Sequence, residues 1–131
     1  MDANGDMSKK QLYEALVGAF GSGWEKGDEK MIADAFAEEG VFCPAPFDPP
    51  LRGRDAIRRY WKDVPREQAE ISFKAGEIFI AGPWFATEFR CKFRRRRTGE
   101  RMDVRGSLFC ETDGDLLSEV RMYWHRASVA G

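Results

Sequence analysis

The hydrophobic period of the chain changes once, near residue 69, and this change limits the possible folds more than any other feature. Before it, apolar residues recur at spacings of three and four, which is typical of helices. After it they alternate with polar residues, which is typical of strands with one buried face. Helices followed by a run of strands predict an α+β domain in which the helices cover one face of a curved antiparallel sheet. At 131 residues, the chain has room for one such core.

Three helices are predicted in the first half of the chain. Ser8 and Gln11 form an S-x-x-Q capping box, which indicates a helix start. Gly27 and Asp28 are suited to end that helix and to cap the next one. A third apolar stripe stops before Pro65. We therefore predict helices over residues 8–25, 28–39 and 54–62.

A short strand and a loop are predicted between the second and third helices. Residues 41–43 can form only a brief strand, because residues 44–50 contain four prolines that lack a backbone donor. Further along, the turns at 98–99 and 113–114 separate three long antiparallel strands, and a fourth is expected before them. We expect disorder over residues 1–7, a single domain over 8–127 and a short tail over 128–131.

The charge balance favours a small-molecule or protein partner. Twenty-one Lys and Arg residues against 22 Asp and Glu give a net charge of −1, which provides no general attraction to nucleic acid or to an acidic membrane. No apolar run approaches the roughly 18 residues of a membrane span, and the first ten residues lack the apolar stretch of a signal peptide. We expect a cytoplasmic protein that binds neither nucleic acid nor a membrane.

The run Arg94–Arg97, with Arg101 across the turn, allows a phosphate-binding or nucleic-acid-binding hypothesis. Alternation divides the run between two faces of a strand, and Glu100 and Asp103 offset its charge. We interpret it as a solvated hairpin tip.

Cysteine and histidine usage indicates neither disulfides nor a metal. Cys43, Cys91 and Cys110 are odd in number, widely spaced and without a C-x-x-C pair, so buried reduced thiols are the simplest interpretation. His125 is the only histidine, which excludes sites built from two or three histidines. No phosphate-binding glycine loop is present, and we expect no metal and no cofactor.

Three stretches together resemble the nuclear transport factor 2-like superfamily, which includes SnoaL-like cyclases and ketosteroid isomerases. They are WEKGDEKMIADAFAEEGVF, LRGRDAIRRYW and GDLLSEVRMYWHR, and the likeness covers about residues 8–127. The resemblance implies a cone of three N-terminal helices over a bent sheet, a pocket between them and a homodimer formed through the outer sheet face. It does not imply one reaction, because the family includes enzymes and binding proteins.

The groups that ketosteroid isomerases use for catalysis are absent from the matching positions. Their mechanism needs a carboxylate base, together with a tyrosine and a protonated aspartic acid that form an oxyanion hole. The resemblance places Pro44, Phe20 and Gly106 at these three positions. Isomerisation of steroids by that route is therefore not expected, and we expect the missing side chain at Gly106 to enlarge the pocket.

The resemblance and the alternation together predict a pocket for a small, mostly apolar molecule. The catalytic residues are unknown; Asp48 in the proline-rich loop, Cys43 beside the vacated base position and His125 are the weak candidates. For Asp48 and Cys43, the competing interpretations are a solvated turn residue and an inert buried thiol; for His125, a surface or dimer-interface residue. The residues predicted to contact the ligand are Phe20, Trp24, Phe42, Tyr60, Trp61, Phe89, Val104, Gly106, Leu108, Met122 and Trp124.

Three functions remain open from the sequence. The first is a cofactor-independent isomerase, dehydratase or cyclase, and the second is a non-catalytic ligand-binding or protein-interaction module. The third and weakest is an anion or RNA binder that acts through the arginine tip. The predicted dimer rests on a mixed surface of rings and charges on the outer sheet face, because aromatic residues and arginine are enriched in interfaces. That surface comprises Trp84, Glu88, Arg90, Lys92, Arg105, Arg121 and Tyr123.

Overall fold

The computed structural model describes the backbone of residues 2–129 and the side chains of residues 9–129. Its helices are α1 (Asp2–Lys26), α2 (Glu29–Asp34) and α3 (Arg54–Asp63), and a 3₁₀ turn (Val64–Glu67) follows α3. Gly27 ends α1 with φ of 65°, in the region that glycine tolerates best. The Asp28 carboxylate then accepts a 3.1 Å hydrogen bond from the Met31 N–H and caps α2. The predicted helix junction is confirmed.

Seven strands form one curved, mixed sheet. Its spatial order is β2-β1-β7-β6-β5-β3, and β4 pairs with β5. All pairs are antiparallel except β1 with β7, which run parallel. The three long strands at the centre confirm the predicted meander. The bounds are β1 (Phe36–Cys43), β2 (Leu51–Arg52), β3 (Gln68–Ala75), β4 (Phe79–Ala81), β5 (Trp84–Arg95), β6 (Arg101–Asp113) and β7 (Leu116–Val129).

Three predicted boundaries are wrong. Helix α1 begins at Asp2, six residues before the predicted start at Ser8. The prediction failed because the S-x-x-Q spacing also places Ser8 and Gln11 on one face inside a longer helix. Helix α2 ends at Asp34, since Phe36 leaves the helix and pairs with Leu117 in the sheet. Strand β7 continues to residue 129, into the predicted tail. Residue 1 and residues 130–131, at the ends of the predicted terminal segments, lie outside the described residues.

A cluster of aromatic rings holds the helices against the sheet. Trp61 of α3 lies at its centre, with ring centroids 5.1 Å from Trp24 and 5.2 Å from Phe20, both on α1. Phe42 of β1 lies 5.6 Å away, and Tyr60 lies 5.3 Å away. Such pairs contribute about 0.5–1.5 kcal/mol each beyond the burial of their surface. No helix among the described residues is long and apolar enough to cross a membrane.

Gly106 lies where two central strands come unusually close. A Cβ atom built on Gly106 would lie 1.9 Å from the Tyr123 carbonyl oxygen and 2.8 Å from the Trp124 Cα atom. These are backbone neighbours on β7, and Gly106 pairs with Trp124 in the ladder. Glycine inside a strand is typical of a sharp bend or a close backbone approach. The position therefore belongs to the curvature of the sheet, and any larger residue must move β7.

We predict that Gly106→Ala destabilises the fold by about 3 kcal/mol, at the upper end of over-packing costs. Gly18 is the control, because it lies in α1 and a Cβ there meets no atom within 4 Å. Gly18→Ala should stabilise the protein by about 0.5–1 kcal/mol through helix propensity. Urea unfolding measures both changes, and an unchanged stability of Gly106→Ala would contradict the close approach.

Candidate functional site

A cavity of about 640 Å³ opens between the helical layer and the inner face of the sheet. Its walls come from α1, α3, the 3₁₀ turn and strands β3, β5, β6 and β7. Three of the four tryptophans of the chain line it, and we call it the tryptophan cavity. The lining residues are Trp24, Tyr60, Trp61, Val64, Arg66, Glu67, Gln68, Phe93, Arg95, Arg96, Arg97, Thr98, Val104, Met122, Trp124 and Arg126.

Hydrogen bonds fix two of the three indole rings in the cavity wall. The Trp24 Nε1–H donates to the Gln68 side-chain oxygen at 2.9 Å. The Trp124 Nε1–H donates to the Pro44 carbonyl at 2.7 Å, across 80 residues of sequence. The resemblance matched Pro44 to the isomerase base; in the structure its backbone carbonyl is the acceptor that orients the Trp124 ring.

The third indole has an unpaired donor. Trp61 is 1% exposed, and its buried Nε1–H has no hydrogen-bond partner among the described residues. Leaving such a donor unpaired costs about 1–3 kcal/mol. The proximity of four other rings keeps Trp61 in this place despite that cost.

Tyr60 is a lining group that can donate a hydrogen bond to a ligand. Burial raises the pKa of its phenol, and the negative charge of Asp48 raises it further. The phenol therefore stays protonated at neutral pH and keeps its O–H donor. No side chain or backbone group of the described residues hydrogen-bonds this hydroxyl, and it is not fully buried.

The inner faces of two strands change from rings to arginine at the same end of the cavity. On β5, Phe93 is followed two residues later by Arg95, and on β7, Trp124 is followed two residues later by Arg126. Residues two apart share a face of a strand, so each arginine continues the row that its ring begins. From the sequence, Arg95 was assigned with its neighbours to a solvated hairpin tip, and Arg126 was not assigned to the site.

The hairpin tip borders the tryptophan cavity. Arg96 and Arg97 are exposed, as the interpretation of a solvated tip requires, but both also line the mouth beside Arg66. The Arg96 Nε–H donates to the Gln68 carbonyl at 3.0 Å, which holds that guanidinium beside the opening. We call this part of the cavity the arginine end. The sequence signal for it is found by continuing the i, i+2 rows of β5 and β7 beyond their last rings.

The predicted ligand-contacting residues divide into cavity lining and core. Six of them line the cavity: Trp24, Tyr60, Trp61, Val104, Met122 and Trp124. Phe20, Phe42, Phe89 and Leu108 are buried in the core cluster. Phe20 and Phe42 support Trp61 through edge-to-face and tilted ring contacts, and Phe89 stacks on Phe73 at 5.7 Å. These four residues lie outside the cavity lining.

The missing side chain of Gly106 adds no space to the tryptophan cavity. The expectation that its missing side chain enlarges the pocket is wrong, because the β7 backbone occupies that place. Gly106 is also absent from the residues that line the tryptophan cavity.

The three weak catalytic candidates lie outside the tryptophan cavity lining. Asp48 is exposed in the proline-rich loop, where its N–H donates to the Ala45 carbonyl at 3.2 Å. Cys43 is half-buried at the end of β1, and burial, together with the charge of Glu119, raises the pKa of its thiol. A raised pKa leaves little of the nucleophilic thiolate at neutral pH. His125 is exposed and pairs with Arg105 in the β6–β7 ladder.

The remaining thiols and acids offer no metal site in the described part of the chain. Burial raises the pKa of Cys91 and of Cys110 to about 12, and both thiols are free. No group of three or more His, Cys, Asp or Glu side chains within the described residues is arranged to hold a metal ion.

The outer sheet face carries exposed rings beside a compact charge network. Phe109 and Tyr123 are 45% and 41% exposed and pack edge to face at 5.7 Å. The Arg121 guanidinium lies 5.3 Å over the Trp84 ring. Asp103 accepts hydrogen bonds from the two flanking arginines, which hold its pKa well below the usual range. Those arginines are Arg90, at 3.1 and 2.8 Å, and Arg105, at 3.2 and 2.9 Å.

A family model shows the family of the chain, and solved structures show its fold. A family model described as a SnoaL-like domain matches residues 17–120. A comparison with curated proteins found no match.

Several solved structures share the whole architecture at low sequence identity. A Bacillus subtilis protein described as a presumptive isomerase is 23% identical, covers 88% of this chain and 87% of its own, and has a TM-score of 0.78. SalBIII, an epoxide hydrolase/cyclase-like enzyme in pyran ring formation of the polyether salinomycin, is 16% identical, with coverage of 91% and 97% and a TM-score of 0.78. The Δ5-3-ketosteroid isomerase from Mycobacterium sp. is 15% identical, with coverage of 90% and 98% and a TM-score of 0.76.

Proposed function

Since the chain belongs to the SnoaL-like domain family, we propose that it binds a small, ring-containing and mostly apolar molecule in the tryptophan cavity. The observation that carries this proposal is the wall of three indoles around a space of about 640 Å³. Ligand pockets are typically 300–1,000 Å³ and lined by apolar and aromatic side chains with a few polar groups. Flat ring systems suit such a wall, because they stack on indole faces.

Binding is favoured over catalysis by the chemistry of the lining. Among the described residues, Glu67 is the one carboxylate that lines the cavity, and it is exposed at the mouth. The buried part of the wall consists of Trp24, Trp61, Val104 and Met122, none of which exchanges protons at neutral pH.

Isomerisation or ring closure is the second candidate function, and Tyr60 is the observation that favours it. A protonated phenol in the cavity wall can donate a hydrogen bond to a ligand carbonyl or ether oxygen as negative charge develops there. Solved structures with this fold include an epoxide hydrolase/cyclase-like enzyme and a ketosteroid isomerase, whose substrates have such oxygens.

The proposal includes a homodimer and a cytoplasmic location. The exposed Phe109–Tyr123 pair and the Trp84–Arg121 pair form a ring-rich patch on strands β5, β6 and β7. An ion pair of Arg121 with Glu119 gives this patch both signs of charge, as a self-complementary twofold interface requires. The three free thiols fit a reducing compartment.

The binding proposal is tested by tryptophan fluorescence in a Trp84→Phe protein. Trp84 lies outside the cavity lining, so the remaining indole emission comes from Trp24, Trp61 and Trp124. Titration with steroids, polyketide-like aromatics, terpenes and epoxides should identify a class that changes this emission. The same compounds should raise the melting temperature through binding to the native state.

Two matched variants test whether the fluorescence response comes from binding in the tryptophan cavity. Val104 lies buried in the cavity wall, so Val104→Phe should weaken binding by narrowing the apolar part. Val129→Phe adds the same ring at an exposed site outside the lining and should leave affinity unchanged. Equal responses of the two variants would overturn the proposed site. Product analysis after incubation with a bound compound then separates the two candidate functions, since an unchanged compound assigns binding alone.

The dimer is tested by sedimentation velocity at micromolar concentration. The wild type should sediment at twice the chain mass of 15.0 kDa, and Phe109→Glu should sediment as the monomer. Phe47→Glu is the control, because Phe47 is fully exposed in the proline-rich loop and should not affect pairing through the sheet. A wild type found only at 15.0 kDa would refute the dimer.

A further inference from the structure

We propose that the ligand is an amphipathic anion, with a flat apolar body against the indoles and a terminal oxyanion at the arginine end of the cavity. This inference rests on the proposed binding function and specifies its ligand class. Its basis is the unequal distribution of charge around the opening. Within residues 9–129, five arginines line the cavity, against one carboxylate, that of Glu67. They are Arg66, Arg95, Arg96, Arg97 and Arg126.

Internal ion pairs neutralise only part of this charge. Arg95 lies 3.3 Å from a Glu100 carboxylate oxygen, and Arg66 lies 4.0 Å from Asp63. Among the side chains that the structure describes, neither Arg97 nor Arg126 has an ion-pair partner. The mouth of the cavity therefore keeps a positive potential, which attracts an anion and repels a cation.

One guanidinium at the mouth also has a buried donor that forms no hydrogen bond with the described residues. The Arg95 Nε atom is the one that lies 3.3 Å from the Glu100 carboxylate oxygen, but this contact lacks the geometry of a hydrogen bond. A buried polar group without a partner costs free energy unless an ion, water or ligand satisfies it. An oxyanion at the arginine end would neutralise the positive charge around this donor.

The arrangement of the strands determines the orientation of the ligand. Phe93 precedes Arg95 on the inner face of β5, and Trp124 precedes Arg126 on the inner face of β7. On two strands of the same sheet, the apolar part of the cavity wall is therefore followed directly by an arginine at the mouth. Guanidinium groups bind carboxylate, sulfate and phosphate through paired N–H donors, and arginine is better suited to this than lysine.

Two fluorescent probes that differ by one anionic group test the inference. Anilinonaphthalene sulfonate carries a sulfonate, and its parent N-phenylnaphthylamine has the same rings without charge. The wild type should bind the sulfonate about tenfold more tightly than the neutral probe, the effect of one charge-assisted contact. Raising the salt concentration should weaken binding of the sulfonate alone, because salt screens exposed charges.

Paired double variants identify the groups that recognise the anion. Arg97→Gln/Arg126→Gln removes two cavity charges without an ion-pair partner among residues 9–129, so no carboxylate in that range loses its cation. This variant should lose the preference for the sulfonate and keep its affinity for the neutral probe. Arg59→Gln/Arg101→Gln is the control, since both residues are exposed outside the cavity lining and the change in net charge is the same.

The outcomes separate this inference from the proposed function. Binding of the neutral probe without preference for the sulfonate would overturn the anionic ligand class and leave the cavity function intact. Failure of both probes to bind would overturn the proposed function as well. If a short single-stranded RNA competed for the site as strongly as the sulfonate probe does, the arginines would instead be assigned to nucleic-acid binding. Circular dichroism of each variant establishes that the fold is retained.

Discussion

The packing of rings around Trp61 is the interaction on which the rest of the structure depends. Trp61 joins α3 to α1 through Trp24 and Phe20, and joins both helices to the sheet through Phe42. The same ring is part of the cavity wall, so the contacts that hold the helices in place also shape the site. Its N–H has no hydrogen-bond partner in the described part of the chain, a cost that the surrounding ring contacts offset.

The polarity of the cavity follows from the period of a strand. Residues two apart share a face of a strand, so the residue that follows the last ring of a row by two positions lies at the end of that row in the cavity wall. On β5 and β7 these residues are Arg95 and Arg126. The 3₁₀ turn adds Arg66, and the hairpin tip adds Arg96 and Arg97. An apolar wall with a cationic mouth therefore needs no separate domain or cofactor, because two strand ends, the turn and the tip produce it.

Local signals in the sequence predicted the features that depend on neighbouring residues. Asp28 caps α2 because its carboxylate accepts a hydrogen bond from an N–H three residues ahead, and such a short sequence separation can be recognised from the sequence. Phe36 was assigned to the helix because its spacing suits one, whereas its pairing with Leu117 lies 81 residues away and leaves no local trace. Gly106 was misjudged for the same reason, since the atoms that fill the space beside it belong to β7. Six of the predicted ligand contacts line the cavity and lie on periodic faces, and Arg95 and Arg126 continue the strand rows by two residues.

The indole signals of a protein labelled with ¹⁵N-tryptophan test the central claim most directly, because each of the four rings reports its own surroundings. Titration with anilinonaphthalene sulfonate should shift the N–H signals of Trp24, Trp61 and Trp124, which line the cavity, and leave that of Trp84 in place. Single Trp→Phe variants assign the four signals. A shift confined to Trp84, or none at saturating probe, would contradict the claim that the tryptophan cavity is the binding site.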